Sequence, residues 1–241
     1  MSINLKTAAD IITDAARTLG LVSADISDPY ASSNANILQL CALLNEAGAE
    51  LVQEHDWQLL TVHTGSFATV NGTASYALPT SPMFEKLIDG TLWDQTQDLP
   101  GHPISAQQYQ GLLARSDTPA STVLFLLNGN KVYIYPTPTS VRTIAFSYMT
   151  SYWAGGTTEP TGDTATAASD KIWFDRRLIT ALLKLKFLRA KGLPSDAALD
   201  DYSRALDRAR SSDGAAMPLS LTGVRTLRTL DPLPVDTLDA T

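Results

Sequence analysis

Apolar residues recur at every third or fourth position in two stretches of the first 58 residues, and this period predicts amphipathic helices. The first stretch runs from Thr7 to Leu19 and is followed by Gly20, a residue that commonly ends helices. The second runs from Ser33 to about Trp57. Its apolar face is formed by Ile37, Leu40, Cys41, Leu44, Ala47 and Leu51. We therefore expect residues 1–58 to supply two helices of a bundle.

The apolar period changes to two after Leu60, which is typical of a half-buried strand. Asn71 and Gly72 interrupt this pattern, and Asn-Gly is the strongest short hairpin signal because a type I′ turn needs positive φ at both central residues. The residues from Thr73 to Leu78 are predicted to pair back on the preceding strand.

A second hairpin is predicted at Asn128 and Gly129, between two further alternating stretches. A short helix is predicted to follow Ser105, which is a favourable N-cap residue. Residues 59–150 are therefore expected to form an antiparallel sheet of about six strands with one inserted helix, as either a β-sandwich or a barrel.

Residues 151–168 are rich in Gly, Thr and Ala, a composition that predicts either a flexible loop or an arm that reaches a neighbouring subunit. Trp153, Gly155 and Gly156 are the candidate subunit-interface residues, since an aromatic side chain beside such a loop is typical of an interface.

Residues 169–212 predict a helical hairpin whose two helices are capped by Ser169 and Ser195. Combined with the two N-terminal helices, this hairpin predicts an α+β fold. In that fold a four-helix bundle built from both ends of the chain carries the antiparallel β domain as an insertion.

Residues 213–241 contain Pro218, Pro232 and Pro234, which exclude a long helix. The segment also holds more Leu and Val than a disordered tail usually has. We expect an extended tail that either packs on its own chain, stays loose, or becomes ordered on the surface of a partner.

The chain of 241 residues is long enough for a substantial core, and its formal net charge is −7. The first 58 residues hold two basic and eight acidic side chains and so account for most of that charge. A generic nucleic-acid binder is disfavoured, because its affinity depends on neutralising phosphates with Lys and Arg. The charge does not exclude a surface past which nucleic acid slides without adhering.

The sequence contains no motif for nucleotide binding, serine hydrolysis or zinc proteolysis. The single cysteine, Cys41, is expected to be a small buried apolar residue. His55 and Asp56 are adjacent, but neighbouring residues at a helix end point apart, so they do not form an acid–base pair. We therefore predict no catalytic residue, no cofactor and no metal site. Neither a signal peptide nor a membrane span is expected, which predicts synthesis in the cytoplasm.

After the N-terminal helix pair, four stretches follow one another along the chain: Ala49 to Leu59, Thr64 to Phe67, Ala74 to Pro79, and Leu92 to Asp94. In this order they resemble the tail adaptor proteins of short-tailed bacteriophages, the head-to-tail connector subunits of the T7 and P22 type. The resemblance covers roughly residues 5–210.

This resemblance implies a structural protein of the virion rather than an enzyme. Twelve copies would form a ring between the portal protein and the tail nozzle protein, and the ring would extend the channel for genomic DNA without binding it specifically. An acidic surface suits such a channel because like charges keep DNA from adhering, and the N-terminal helices are one candidate lining. The loops at Asn71–Gly72 and Asn128–Gly129 become candidate nozzle contacts. The tail becomes the portal-binding segment through Leu219, Leu221, Val224, Leu227, Leu230 and Leu233.

Two other functions remain open at the level of the sequence. A carbohydrate- or peptide-binding β module would need an exposed aromatic platform, which only Trp93 and Tyr133 could supply. A phage-encoded hydrolase is the other alternative, and the lack of catalytic motifs argues against it.

Overall fold

The computed structural model describes residues 5–115 and 122–213 and has a mixed α+β fold. The five helices are α1 (Ala8–Thr18), α2 (Ala35–Glu54), α3 (Ala106–Arg115), α4 (Arg176–Ala190) and α5 (Asp196–Asp213). The eight strands are β1 (Thr61–Ala68), β2 (Ser75–Ala77), β3 (Phe84–Leu87), β4 (Trp93–Asp94), β5 (Leu99–Pro103), β6 (Val123–Asn128), β7 (Lys131–Tyr135) and β8 (Thr143–Thr150).

The helix ends are fixed by local capping. Thr7 and Asp10 form a reciprocal capping box at the start of α1. Gly20 ends α1 and Gly192 ends α4, each with φ near 70° and each followed by a residue whose N–H reaches back to the last turn. This is the Schellman motif, which needs a residue of positive φ and therefore favours glycine.

The helices from the two chain ends pack together, but the regular four-helix bundle expected from the sequence is not confirmed. Helices α1, α2 and α4 contact one another, whereas α5 packs chiefly on α4. The side chains that the four helices share form one core with residues of the 151–175 segment. Helix α4 is therefore the centre of the helical layer.

Helix α4 begins later than predicted. Its N-cap is Asp175, whose carboxylate accepts the N–H of Leu178, and Ser169 lies in an irregular segment outside the helix. Ile172 and Trp173, which the apolar pattern placed on this helix, are instead buried in extended chain. The periodic pattern misled here because buried apolar residues occur at similar spacing in extended segments packed on a core.

The 151–175 segment lies on its own chain. Ala154 forms β-bridges with both Gly162 and Ile172. The side-chain amide of Asn45, in α2, donates to the carbonyl of Ala165 and accepts its N–H. The N–H of Ala8 reaches the carbonyl of Asp170 at 2.8 Å. These contacts hold the Gly- and Thr-rich residues against α1 and α2.

The strands form one mixed sheet in the order β1-β8-β4-β5-β6-β7-β2. Strand β3 also pairs with β8, on the same side of β8 as β4. The pairing of β5 with β6 is parallel, and the other pairings in the described chain are antiparallel. The sheet curls into a half-barrel around its own apolar core. It is thus neither a two-sheet sandwich nor a closed barrel, and it is not purely antiparallel.

The predicted hairpin at Asn71 and Gly72 is wrong in its strand pairing, although the turn exists. β1 pairs with β8 and β2 pairs with β7, so the turn joins the two edge strands of the sheet. The rings of Phe67 and Tyr76 stack across this junction with centroids 4.8 Å apart. The curl of the sheet brings its edges together here.

The second predicted hairpin is confirmed. Asn128 pairs with Lys131 across a turn that contains Gly129, whose φ is 59°. No other residue of this turn has positive φ, which is the pattern of a type II′ turn. The predicted helix after Ser105 is also confirmed as α3, and Ser105 forms a capping box with Gln108.

Candidate interaction surfaces

One end of the half-barrel is formed by the Asn71–Gly72 turn and the loop of residues 136–142. The N–H of Gly72 donates to the carbonyl of Pro138 at 2.9 Å, which joins the two. Val70 and Val141 are 57% and 69% exposed there, so two aliphatic side chains stand in solvent at a rigid tip. No sequence signal distinguishes Val141, because an apolar residue at this position also fits the start of the following strand.

The tip is held by side chains that lie beneath it. The hydroxyl of Tyr76 reaches both the N–H of Val70, at 3.1 Å, and the carbonyl of Thr73. On the other side, the hydroxyl of Thr69 donates to the carbonyl of Ser140 and accepts the N–H of Arg142. Both loops are therefore fixed by hydrogen bonds rather than by the turn residues alone.

A cavity of about 220 Å³ opens beneath the 136–142 loop and contains an ion pair. Asp94 is fully buried, and its Oδ2 lies 3.5 Å from Nη1 of Arg142. The other carboxylate oxygen, Oδ1, accepts the N–H groups of Thr96 and Gln97. This geometry fits a structural role, since the Asp94 carboxylate holds the turn that follows β4.

The Asn128–Gly129 turn lies at the opposite end of the sheet. β2 runs from the Asn71–Gly72 turn towards this second turn, because the N–H of Leu78 donates to the carbonyl of Asn130. The five residues of β7 separate the two turns by roughly 16 Å. Both turns are exposed, but they do not form one contiguous surface.

Trp153 is buried in its own chain, so the expectation that its side chain faces another subunit is wrong. The residue is 1% exposed and packs between Gly48 of α2 and Phe174. Gly155 is buried as well, and its carbonyl accepts the indole N–H of Trp173 at 2.9 Å. Gly156 is half-buried, and the exposed residues 157–159 follow it.

The carboxylates of the first 58 residues are engaged within the chain. Six of them form ion pairs: Asp14 with Arg176, Asp25 with Arg17, Glu46 and Glu50 with Lys186, Glu54 with Arg210, and Asp56 with Lys86. The remaining two, Asp10 and Asp28, accept main-chain N–H groups. Only five cations pair with these eight carboxylates, because Glu46 and Glu50 share Lys186 and Asp10 and Asp28 form no ion pair in the described chain. The acidic N-terminal helices therefore keep an excess of negative charge, and their place in a channel lining stays a prediction.

Lys186 shows why this pairing is effective. Burial alone would lower the pKa of its ammonium group, but hydrogen bonds from Nζ to Glu46 and Glu50, each 2.6 Å long, hold that pKa above its ordinary value. The charged form of the lysine is therefore stabilised between α2 and α4.

The candidate acid–base pair of His55 and Asp56 is divided between two different partners. His55 lies 3.5 Å from Asp213 at the end of α5, while Asp56 binds Lys86 of β3. Within residues 5–115 and 122–213, His, Cys, Asp and Glu side chains do not gather into a group that would hold a metal ion. Trp93 and Tyr133, the two candidates for the aromatic platform of a sugar-binding module, lie three strands apart in the sheet and do not form one platform.

The residues predicted to bind the portal, from Leu219 to Leu233, lie outside the described residues. Among the helices that the structure does describe, none combines the length and apolar character needed to cross a membrane.

Comparison with known proteins identifies the family. A family model described as SU10 adaptor protein matches residues 6–225, and this range includes both the helical layer and the sheet. No curated protein matches the chain. Because the match spans most of the 241 residues, the chain belongs to the SU10 adaptor protein family, a family of structural phage adaptors.

Proposed function

We propose that this protein is a ring-forming adaptor subunit that joins the portal to the tail nozzle and extends the DNA channel. The observation that carries the proposal is the family match over residues 6–225. Membership in a phage adaptor family implies a place in the virion and association with other phage head and tail proteins. The ring, its twelve-fold number and the short-tailed type rest on the resemblance described above.

The sheet offers two separate contact points for neighbouring proteins. We assign the nozzle contact to the Asn71–Gly72 end, because Val70 and Val141 supply exposed apolar surface on a loop pair that is already fixed. A preorganised surface loses little conformational entropy on binding. The Asn128–Gly129 hairpin would then meet a different neighbour, since a single flat partner reaches only one end of the sheet.

The subunit contact is assigned to Gly156 and the exposed residues 157–159. They project from a segment whose remaining residues are pinned to α1 and α2. A contact between this loop and a different surface of the next copy would be heterologous, and heterologous contacts form a ring when the rotation between copies closes. Trp153 supports this loop from inside its own chain.

The DNA channel is proposed to pass nucleic acid without specific contacts. The net charge of −7 supports this, because a chain with a deficit of Lys and Arg cannot neutralise many phosphates. We expect no retention of double-stranded DNA in a gel-shift assay at 50 mM salt. Retention that falls steeply with added salt would contradict a non-binding channel.

The portal contact is proposed to lie in the tail, through Leu219, Leu221, Val224, Leu227, Leu230 and Leu233. Truncation after Asp213 tests this, because that end point keeps the hydrogen bonds between the Asp213 carboxylate and the N–H of Gln58. We expect an unchanged melting temperature and weaker attachment to portal rings. If the truncated chain binds portal rings as well as the full chain, the tail does not carry the contact.

The ring itself is tested by mixing the full chain with purified portal rings. We expect a mass increase of up to twelve chains per portal ring by native mass spectrometry and an added layer in electron micrographs. A chain that stays monomeric in the presence of portal rings would refute the adaptor ring. A monomer without portal rings is compatible with assembly on the portal.

A further inference from the structure

An open groove runs along α4 between α1 and α5. Because α5 packs on α4 and does not close against α1, the side of α4 between them stays uncovered. Two adjoining hollows of about 450 and 370 Å³ make up the groove and share Ala181, Lys184 and Asp201. Its apolar lining comes from Leu19, Ala181, Leu188 and Ala198.

The groove carries cations that have no partner in the described chain. Arg177 and Lys184 lie seven residues apart on α4 and form no ion pair within residues 5–115 and 122–213. The neighbouring carboxylates are already engaged: Asp14 with Arg176, Asp201 with Arg204, and Asp175 with the N–H of Leu178. The hydroxyl of Thr180, also in the groove, is buried without a hydrogen-bond partner.

This surface suits a segment that is both acidic and apolar. Unpaired cations attract carboxylates, the aliphatic floor favours aliphatic side chains, and the Thr180 hydroxyl can bond a main-chain carbonyl or N–H. The occupant must therefore offer aliphatic side chains at short intervals, carboxylates among them, and no competing Lys or Arg.

The end of this chain has that composition. Residues 229–241 contain four aliphatic side chains and three carboxylates, and the last basic residue of the chain is Arg228. The aliphatic residues are Leu230, Leu233, Val235 and Leu238, and the acidic residues are Asp231, Asp236 and Asp239. Asp236 and Asp239 would be about 9–10 Å apart on an extended chain, which matches the roughly 10 Å between Arg177 and Lys184 along a helix.

The chain is long enough to reach the groove. Helix α5 ends at Asp213, and Ala198 lies 15 residues back along the same helix, which is about 22 Å. The 17 residues from Asp213 to Leu230 can span up to about 56 Å. We propose that residues 229–239 occupy the α1–α4–α5 groove of their own chain when the protein is free of its partners.

This contact does not depend on the ring, since it lies within one chain. It adds a condition to the proposed portal contact, because Leu230 and Leu233 cannot lie in the groove and bind the portal at the same time. Portal binding would therefore release the tail from the groove.

The test uses the full chain without portal and a zero-length carbodiimide cross-linker, which couples a lysine amine to a carboxylate in contact. Trypsin then releases residues 229–241 as one peptide, because cleavage follows Arg228. We expect this peptide linked to the Lys184 peptide. Lys131, which is exposed at the start of β7, is the matched control and should give no such link.

A mixture of ¹⁵N-labelled and unlabelled chains separates intramolecular from intermolecular links. Links within one isotope support the proposal. Links that join the two isotopes, or a Lys184 yield no higher than that of Lys131, overturn it. A negative result here does not bear on the proposed portal contact, because no portal is present in this experiment.

A second measurement uses the variant R177E/K184E. The Arg177 and Lys184 side chains form no ion pair in the described chain, so the two substitutions break no ion pair that stabilises the fold. We expect the amides of residues 229–239 to exchange about tenfold faster than in the wild type, with an unchanged melting temperature. Adding D231K, D236K and D239K to this variant should restore slow exchange. Equal exchange in all three proteins would overturn the proposal.

Discussion

Replacing Gly48 with alanine should destabilise the protein, against the usual effect of this change in a helix. Gly48 lies inside α2, where alanine is normally favoured over glycine by about 1 kcal/mol. A Cβ atom at this position would lie 2.2 Å from Cζ2 of Trp153 and 2.3 Å from Cε2. Ordinary contacts between carbon atoms are about 3.5–4.0 Å, so the indole ring would have to move by roughly 1.5 Å.

That movement is costly because Trp153 has no free space around it. The side chain is 1% exposed and is held on its far side by Phe174, with ring centroids 6.1 Å apart. Overpacking of a buried site costs about 1–3 kcal/mol, and displacement of the largest aromatic side chain falls at the upper end. With the helix-propensity gain subtracted, Gly48→Ala should lower the free energy of unfolding by about 2 kcal/mol, or the melting temperature by about 4–8 °C.

Urea unfolding followed by circular dichroism at 222 nm measures this difference. Gly111→Ala is the matched control, because Gly111 lies inside α3 and a Cβ there meets no atom within 4 Å. The control should be stabilised by about 0.5–1 kcal/mol. The substitution Trp153→Phe removes the clashing atoms, so Gly48→Ala should cost nothing further in that background. A Gly48→Ala protein as stable as the wild type would refute the reasoning.

Three further changes test other contacts. Asn45→Ala leaves the N–H and carbonyl of Ala165 without partners, so the free energy of unfolding should fall by about 2–3 kcal/mol. Asn45→Asp should recover only part of this stability. An unchanged free energy of unfolding in Asn45→Ala would contradict the stabilising role of these two hydrogen bonds. Thr7→Ala should cost about 1 kcal/mol at pH 7. Burial raises the pKa of the Asp10 carboxyl, but hydrogen bonds with the main-chain N–H and the side chain of Thr7 lower it below its ordinary value. Alanine keeps the first bond and loses the second, so part of the deficit should disappear as the pH falls below about 4, and an unchanged deficit at pH 3 would contradict this. Tyr76→Phe removes the hydroxyl that bonds the turn between β1 and β2, and the free energy of unfolding in urea should fall by about 1–2 kcal/mol. An unchanged urea midpoint would show that these hydrogen bonds do not stabilise the turn.

Local patterns predicted those elements whose stability is decided within a few residues. The capped helices α1, α2 and α3 follow from their apolar period and end residues. The β6–β7 hairpin follows from Gly129, because a two-residue turn fixes the pairing of strands that are directly joined. The resemblance to phage adaptors also came from short stretches, and the family match confirms it at the level of a phage adaptor.

Contacts between distant residues decided the rest. The Asn71–Gly72 turn was predicted correctly as a turn, but β8, more than 70 residues further along the chain, is the strand that pairs with β1. A turn sets only the direction of the chain, and the choice of partner depends on which strand edges the curled sheet leaves open.

The sequence by itself determined where this chain can be helical, where it must turn, and to which family it belongs, since these depend on neighbouring residues or on short stretches in order. The tertiary structure alone decided that Trp153 is interior, that most carboxylates of α1 and α2 form ion pairs with α4 and α5, and that α5 leaves a groove beside α1. The physical reason is that burial and ion pairing are properties of surfaces that meet in space. Residues as far apart as Glu46 and Lys186 acquire their environment only when the two chain ends pack together.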